Sequence, residues 1–411
     1  MANIAYADYP YRRSSLAKRT QAKPFWSVLD LDGSFAAGSL AARMEVHQRL
    51  RAQGSIIFST ARSPELVMSS NMLDVSQRLG EVARQAPKWH VENGVYSFVP
   101  IETLDEFRYC YNPDAILAFG EGIFIKKLRT GKQRPSYFSC DTEYERIYLN
   151  QIAQEAPSAE RTWRKLALAV VKTVGLEEKL AAIEIAGNYE RGLANVTPLK
   201  YRIQLDFRGR HSVSDKYIAL ERIKNFLRGT PLAQYVEGVD ESKPDMGNPD
   251  ESRATLYLMP PGARKENMLN RTLSQICTQQ RIGTHEMKLL IVGDTLTDFY
   301  SMCYAGWDAS AVGIVVGGSR LFQCLEERAN FAGVDLQRYH KALKPTSRPG
   351  FYRFDNPLMR GGWTEHGKER LIILGDRAYP GTVGAETVLA YLNDTKIHNQ
   401  VDEKLKALAI G

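Results

Sequence analysis

Two carboxylates, Asp30 and Asp32, close the apolar run in FWSVLDLDGSF, residues 25–35. A second apolar run, LLIVGDTLTD, ends in Asp294 and Asp298. Buried carboxylates are costly unless they are paired, hydrogen-bonded or bound to a cation. In a parallel sheet all strand C-termini share one edge, and open α/β sheets bind their ligands there. Four carboxylates meeting on that edge would repel one another and raise their pKa values unless a divalent cation neutralised them. Magnesium suits such a set, because it takes a few carboxylates and keeps waters and substrate phosphate as its other ligands. Thr60 ends a third apolar run, SIIFST, just before Ser63-Pro64. A hydroxyl and free backbone N–H groups beside a helix start make a cradle for phosphate oxygens. Lys265, in MPPGARKENML, stands where a helix should begin. There it would neutralise a phosphate or hold an aspartate ionised.

Each piece alone has a plainer reading. A DxDG is most often a polar strand end, GDxxxD a helix start with an acidic first turn, Thr60 an ordinary strand-end residue and Lys265 a solvated helix lysine. A calcium loop of the EF-hand form needs glycine at its sixth position, where Phe35 stands. The weight comes from all four appearing in this order, three of them at apolar strand ends. Other candidates stay with the plain reading. His47 and His90 have no partner at ligand spacing and are expected to be structural. Gly317-Gly318 lacks the rest of a phosphate loop and reads as a strand-end turn. The basic residues Arg338, Lys341, Lys344, Arg348, Arg353 and Arg360 read as solvated surface.

The elements that must position these residues follow from apolar pattern and punctuation. Phe25 to Leu29 suits a buried parallel strand. Ser39 opens a helix that Gly54 stops, residues 55–60 form a strand, and Ser63-Pro64 starts a helix running to about Gly80. WHVENGVYSFV adds a strand around an Asn93-Gly94 turn. This alternation predicts a parallel sheet with helices on its faces. From about 101 to 258 the pattern changes: helical stretches at 162–173 and 216–228 mix with strand-like KYRIQLDF and ATLYLM, and the polar EGVDESKPDMGNPDES reads as a loop. The parallel pattern then resumes with strands in 287–294, 311–318 and 370–376, and the helix TVGAETVLAYLND follows.

At 411 residues one core is too small a container, so a large domain plus a smaller one is expected. The expected division is a flexible basic arm over 1–23, a core of 24–100 plus 259–411 with an extra insertion at 319–369, and an inserted α+β module over 101–258. Apolar residues at 44% and charged residues at 25% are the balance of a soluble globular chain. A net charge of +7 favours anionic ligands such as phosphates without indicating nucleic acid. Five scattered cysteines without CxxC spacing argue against a disulfide framework or structural zinc and for a reducing compartment.

In these motifs the sequence resembles the haloacid-dehalogenase-like superfamily of aspartate-nucleophile phosphatases, over about 24–100 and 259–318. Asp30-Leu31-Asp32-Gly33-Ser34 matches the first motif DxDG[TS], Thr60 the second, Lys265 the third, and Gly293-Asp294 with Asp298 the fourth GDxxxD. STARSPEL followed by VENGVYSF is most similar to the sucrose-phosphate phosphatase group. Ala61 replaces a usual glycine, and Leu296-Thr297 a common Gly-Asn. The resemblance implies a Rossmann-like α/β core with a C2-type cap at 101–258. It implies Asp30 as nucleophile and Asp32 as acid and base, with Thr60 and Lys265 binding phosphate. Magnesium would be held by Asp30, the carbonyl of Asp32, Asp294 and, as a shared ligand, Asp298.

The expectation is therefore a magnesium-dependent, cytoplasmic phosphatase acting on a small phosphorylated sugar, with neither nucleic acid nor membrane as partner. The alternatives are a catalytically silent sugar-phosphate-binding module and a phosphomutase. The large insert weighs against the mutase.

Overall fold

The computed structural model describes residues 25–62, 64, 67, 88–92, 95–99, 113–120, 122–127, 137–146, 183–186, 203–207, 213–229, 237–240, 254–260, 263–283, 286–305, 309–319, 321–322, 325, 341–354 and 370–398. The N-terminal arm and the expected helix at 162–173 lie outside the described residues.

In chain order the main elements are β1 (Phe25–Leu29), α1 (Leu40–Gln53), β2 (Gly54–Thr60), β3 (Lys88–Glu92), β4 (Val95–Val99), β5 (Ala115–Ala118), β6 (Gly122–Lys127) and β7 (Tyr137–Cys140). There follow β8 (Ile183–Ala186), β9 (Ile203–Phe207), α2 (Val213–Arg228), β10 (Glu237–Asp240), β11 (Ala254–Met259) and α3 (Lys265–Gln280). The chain continues with β12 (Lys288–Gly293), α4 (Leu296–Tyr304), β13 (Ser310–Val315), β14 (Leu343–Pro345), β15 (Phe351–Phe354), β16 (Arg370–Leu374) and α5 (Ala385–Asn393).

The fold is α/β. Six parallel strands in the order β16-β13-β12-β1-β2-β5 form the centre of a twelve-stranded sheet, and antiparallel strands extend both sides. β1 occupies the middle because four of its five residues are buried, as a strand covered on both faces requires. Alternate side chains feed two cores. Trp26, Val28, Ile57, Leu289 and Ile291 pack with Met268 and Leu269 of α3 and Phe299 and Met302 of α4. Leu29, Phe58, Leu290 and Val292 pack on the other face with Val46 and Leu50 of α1 and Val388 and Leu392 of α5. Leu29 is in register with both Val292 and Phe58, so β12 ends one residue and β2 two residues beyond β1. Asp30, Asp294 and Thr60 therefore emerge on one edge.

β8, β9, β10 and β11 form a separate four-stranded antiparallel sheet. Its boundary differs from the expected insert in one respect. Residues 115–118 pair in parallel with β2, and β6 and β7 continue the same sheet, so these three strands join the large sheet although the expected insert spans them. Four fully buried residues, AILA, are too short a run to carry a parallel-strand signature in sequence. The polar segment at 237–252 likewise contributes a strand, β10, where a loop is expected. β10 lies on the sheet's outer edge, so it needs only Val239 in the core. Among the described residues of 319–369, β14 and β15 add an antiparallel border beside β16.

The two sheets are tied at the start of α3. Arg264 donates from Nε and Nη2 to the Glu237 carboxylate of β10 at 3.2–3.3 Å, and its Nη1 lies 3.7 Å from Glu266. Burial pushes the Glu266 carboxyl up to about 7, against the pull of Arg264. The folded chain thus holds this proton more tightly than the unfolded one. The stability this contributes is complete below the ordinary glutamate pKa of 4.5 and is lost as pH rises through about 7. Glu266→Gln is expected to raise stability at pH 8 by on the order of 2 kcal/mol and to leave it unchanged near pH 4. Urea denaturation at the two pH values checks this, and a difference that does not vary with pH would show that the carboxyl titrates alike in the folded and unfolded chains.

Candidate active site

Asp30 is the first residue past β1, and its backbone N–H still pairs with the Val292 carbonyl at 2.9 Å, so the strand geometry carries over to its side chain. The carboxylate is only 4% exposed. The Lys265 ammonium donates to Asp30 Oδ1 at 3.1 Å and to Asp298 Oδ1 at 2.8 Å. Ser34 Oγ lies 3.2 Å from Asp30 Oδ2 and 3.5 Å from Asp294 Oδ1, placing one hydroxyl between two carboxylates. Gly33, at φ +75°, turns the chain so that Ser34 comes back over Asp30. Burial pushes the Asp30 carboxyl well above the usual range; Asp298, Asp294 and Asp32 push the same way, and Lys265 opposes them.

Lys265 is the first residue of α3 and is 1% exposed. Its position depends on how α3 is held. One turn and a half further on, Arg271 donates Nε to Asp141 Oδ2 at 2.7 Å and Gln275 donates to the same oxygen at 2.7 Å, while Tyr144 N–H caps the other oxygen at 3.1 Å. Burial alone would raise the Asp141 carboxyl, but the hydrogen bonds from Arg271, Tyr144 and Gln275 prevail and hold it below the usual range. This cluster fixes α3 against the β7 end of the large sheet. Phe119, just past β5, lies under the ammonium with its ring centre 5.8 Å from Nζ.

Asp298 has both oxygens engaged. Oδ1 takes Lys265, and Oδ2 accepts from the Asp294 and Thr295 N–H groups at 3.3 and 3.2 Å and from Thr295 Oγ1 at 2.8 Å. It closes the start of α4 and orients the lysine. Leu296 and Thr297, which replace the common Gly-Asn, are buried, and the Thr297 hydroxyl lies 3.1 Å from that of Thr295. Gly293 is required where it stands. A Cβ there would lie 2.2 Å from Asp298 Cβ and 2.3 Å from its Cγ.

The carboxylate oxygens of Asp30, Asp294 and Asp298 lie within 4.8 Å of one another, an arrangement that can hold a metal ion. The residues fit a hard dication. Every donor is oxygen, and one ammonium serves two of three carboxylates, leaving negative charge around Asp294 and Asp30 Oδ2. Asp32 stands apart from this trio. Its carboxylate is paired with Arg62, whose Nε lies 2.9 and 2.8 Å from its two oxygens, with Nη2 also on Oδ1. Thr60 is fully buried at the end of β2, where its Oγ1 accepts the Arg62 N–H at 3.0 Å.

The structure thus brings together Asp30, Asp294, Asp298 and Lys265, puts Thr60 on the same edge and turns the Asp32 carboxylate to a different cation. Arg62 and Phe119 escape sequence reasoning. The available signal for Arg62 was a basic residue two positions past a strand end, beside a strand ending in an unmatched aspartate. His47 is buried at 5% exposure, and burial together with Arg51 and Lys126 lowers it to about 4, so it is neutral and structural.

No protein-family model and no curated protein matches the chain. Solved structures to which the chain is similar include yhjK, a haloacid dehalogenase-like hydrolase protein from Bacillus subtilis, at 12% identity and a TM-score of 0.33 over 71% of this chain and 81% of that one. TM0651 from Thermotoga maritima is similar at 10% identity and a TM-score of 0.32, over 71% and 86%. An N-terminal truncated IMP-nucleotidase from Plasmodium falciparum is similar at 12% identity and a TM-score of 0.35, over 69% of this chain and 64% of that one. No helix among the described residues is long and apolar enough to cross a membrane.

Because the would-be Cβ of Gly293 meets the shaft of Asp298 and not a flexible side-chain end, Gly293→Ala must displace the start of α4. The expected cost is about 2–3 kcal/mol of stability, read as a lower urea midpoint. A midpoint equal to that of the parent chain would show that this junction yields freely.

Proposed function

We propose that this chain is a magnesium-dependent phosphoric monoester hydrolase of the haloacid-dehalogenase type, acting on a sugar or glycosyl phosphate through an aspartyl-phosphate. The observation that carries the reading is the buried Asp30, with Lys265 on one oxygen and Ser34 on the other, beside Asp294 and Asp298. Such a carboxylate is fixed in direction, because a donor lies within reach of each oxygen, and a fixed direction is what in-line attack needs.

The chain's own residues have defined tasks. An Asp30 oxygen bonds to phosphorus as the bond to the sugar oxygen breaks, and the sugar oxygen leaves with the electron pair and takes a proton from Asp32. Water, losing its proton to Asp32, then attacks the phosphorus of the aspartyl-phosphate, which releases phosphate and restores the Asp30 carboxylate. Lys265 keeps positive charge at the reacting oxygen while the phosphoryl group arrives with more negative charge. Thr60 accepts from Arg62 N–H and so keeps its own O–H proton for a phosphate oxygen. Magnesium, held by Asp30 and Asp294 with the Asp32 carbonyl, supplies positive charge to the phosphoryl oxygens when bound. Asp298 is assigned as the residue that positions Lys265, since both its oxygens are engaged. The second sheet, β8 to β11, is assigned as the cap that encloses the sugar, and the sugar class follows the resemblance of STARSPEL and VENGVYSF.

Purified protein with magnesium is expected to release phosphate from at least one of sucrose-, trehalose-, mannosyl- and glucosyl-phosphates. Chelation should stop the release, and Asp30→Asn should lower it by about 10³-fold or more. Wild-type protein that binds a sugar phosphate yet releases nothing across the panel would sink the hydrolase reading in favour of a silent binding module.

A further inference from the structure

The ion pair between Asp32 and Arg62 is unequal in its surroundings. The Arg62 side chain is 13% exposed and that of Asp32 43%. The cation is therefore the fixed member, and the carboxylate is the member that water can reach. Arg62 is fixed by the turn that ends β2, where its N–H donates to Thr60 Oγ1 at 3.0 Å. It thus springs from the same turn as the hydroxyl assigned to phosphate, one strand from Asp30.

A guanidinium fork that grips both oxygens of a carboxylate has the geometry to grip two oxygens of a phosphate, and a dianion attracts it more strongly than a monoanion. Asp32 can exchange its partner for water because it is nearly half exposed, and an arriving phosphate would keep the sequestered guanidinium paired. Both conditions for partner exchange are met at one site: an exposed, replaceable anion and a sequestered cation.

We propose that Arg62 is a phosphate-binding residue and that its pairing with Asp32 is the ligand-free arrangement. The arriving phosphoryl group takes the guanidinium from Asp32, and both Asp32 oxygens become free to face the leaving group. This inference rests on the phosphatase reading for its ligand class. It also links occupancy to readiness, because Asp32 is released only when a phosphate is in place.

The probe is inorganic phosphate, titrated calorimetrically into the full chain in magnesium buffer. Arg62→Ala should weaken binding about 10- to 100-fold, with a smaller loss for Arg62→Lys, which keeps the charge without the fork. Asp32→Asn should tighten binding several-fold, and that gain should shrink in the Arg62→Ala background, because the competition is for Arg62 itself. A mere turn-holding role for Arg62 predicts otherwise: phosphate affinity within about twofold of wild type for a folded Arg62→Ala, or weaker binding for Asp32→Asn. Either result overturns the proposal. The two readings fail separately. Wild type that binds phosphate through Arg62 but hydrolyses no ester removes the hydrolase and keeps the clamp. Wild type that hydrolyses esters, with an unaltered KM in Arg62→Ala, removes the clamp and keeps the hydrolase.

Discussion

The Lys265 ammonium is the constraint on which the site is built. It is 1% exposed and bridges Asp30, 235 residues away in sequence, to Asp298, 33 residues away. A buried ion pair is rarely worth its desolvation, and removing one member leaves the other stranded. Such a triad survives only where the surrounding elements hold it in one geometry. β1 supplies Asp30, α3 supplies the lysine and α4 supplies Asp298, and the three meet at a single point of the sheet edge.

Each supporting feature can be read as a way of keeping that meeting fixed. β1, β2 and β12 are held in register because apolar side chains pack from both faces of the sheet, which leaves no freedom to slip by one residue without moving every side chain to the other face. α3 is pinned at its middle by Asp141, so its first residue cannot drift away from β1. α4 carries Asp298 in its first turn, and that residue's second oxygen is used up by the backbone N–H groups of Asp294 and Thr295. The absence of a side chain at Gly293 is equally part of the device, since the Asp298 shaft occupies that space.

This explains which parts were readable from residues alone. Asp30, Thr60, Asp294 and Asp298 stand at ends of apolar runs, and Lys265 at a helix start, so the rule that parallel strands finish on one edge was enough to gather them. β9, β11 and β12 were legible for the same reason, as runs long enough to show their pattern. β5 was not, because AILA becomes a core strand only through its pairing with β2. β10 was not, because an edge strand can be polar nearly throughout. Arg62 was invisible for a topological reason. Its carboxylate partner is 30 residues earlier, and only the adjacency of β1 and β2 makes them neighbours.

The same adjacency sorts the two aspartates of DLD. Asp30 continues the strand ladder and is drawn into the interior, where burial raises its pKa and an ammonium with two other carboxylates surrounds it. Asp32 lies beyond the last ladder bond, in a turn that Gly33 bends, and meets a guanidinium at the solvent margin. Two identical side chains two residues apart thereby acquire unlike surroundings without any difference in their own chemistry. A buried group with every oxygen engaged is suited to a task of fixed direction. A half-exposed group paired to a cation at the solvent margin is one that water can also reach. The difference in their surroundings follows from where the strand ends.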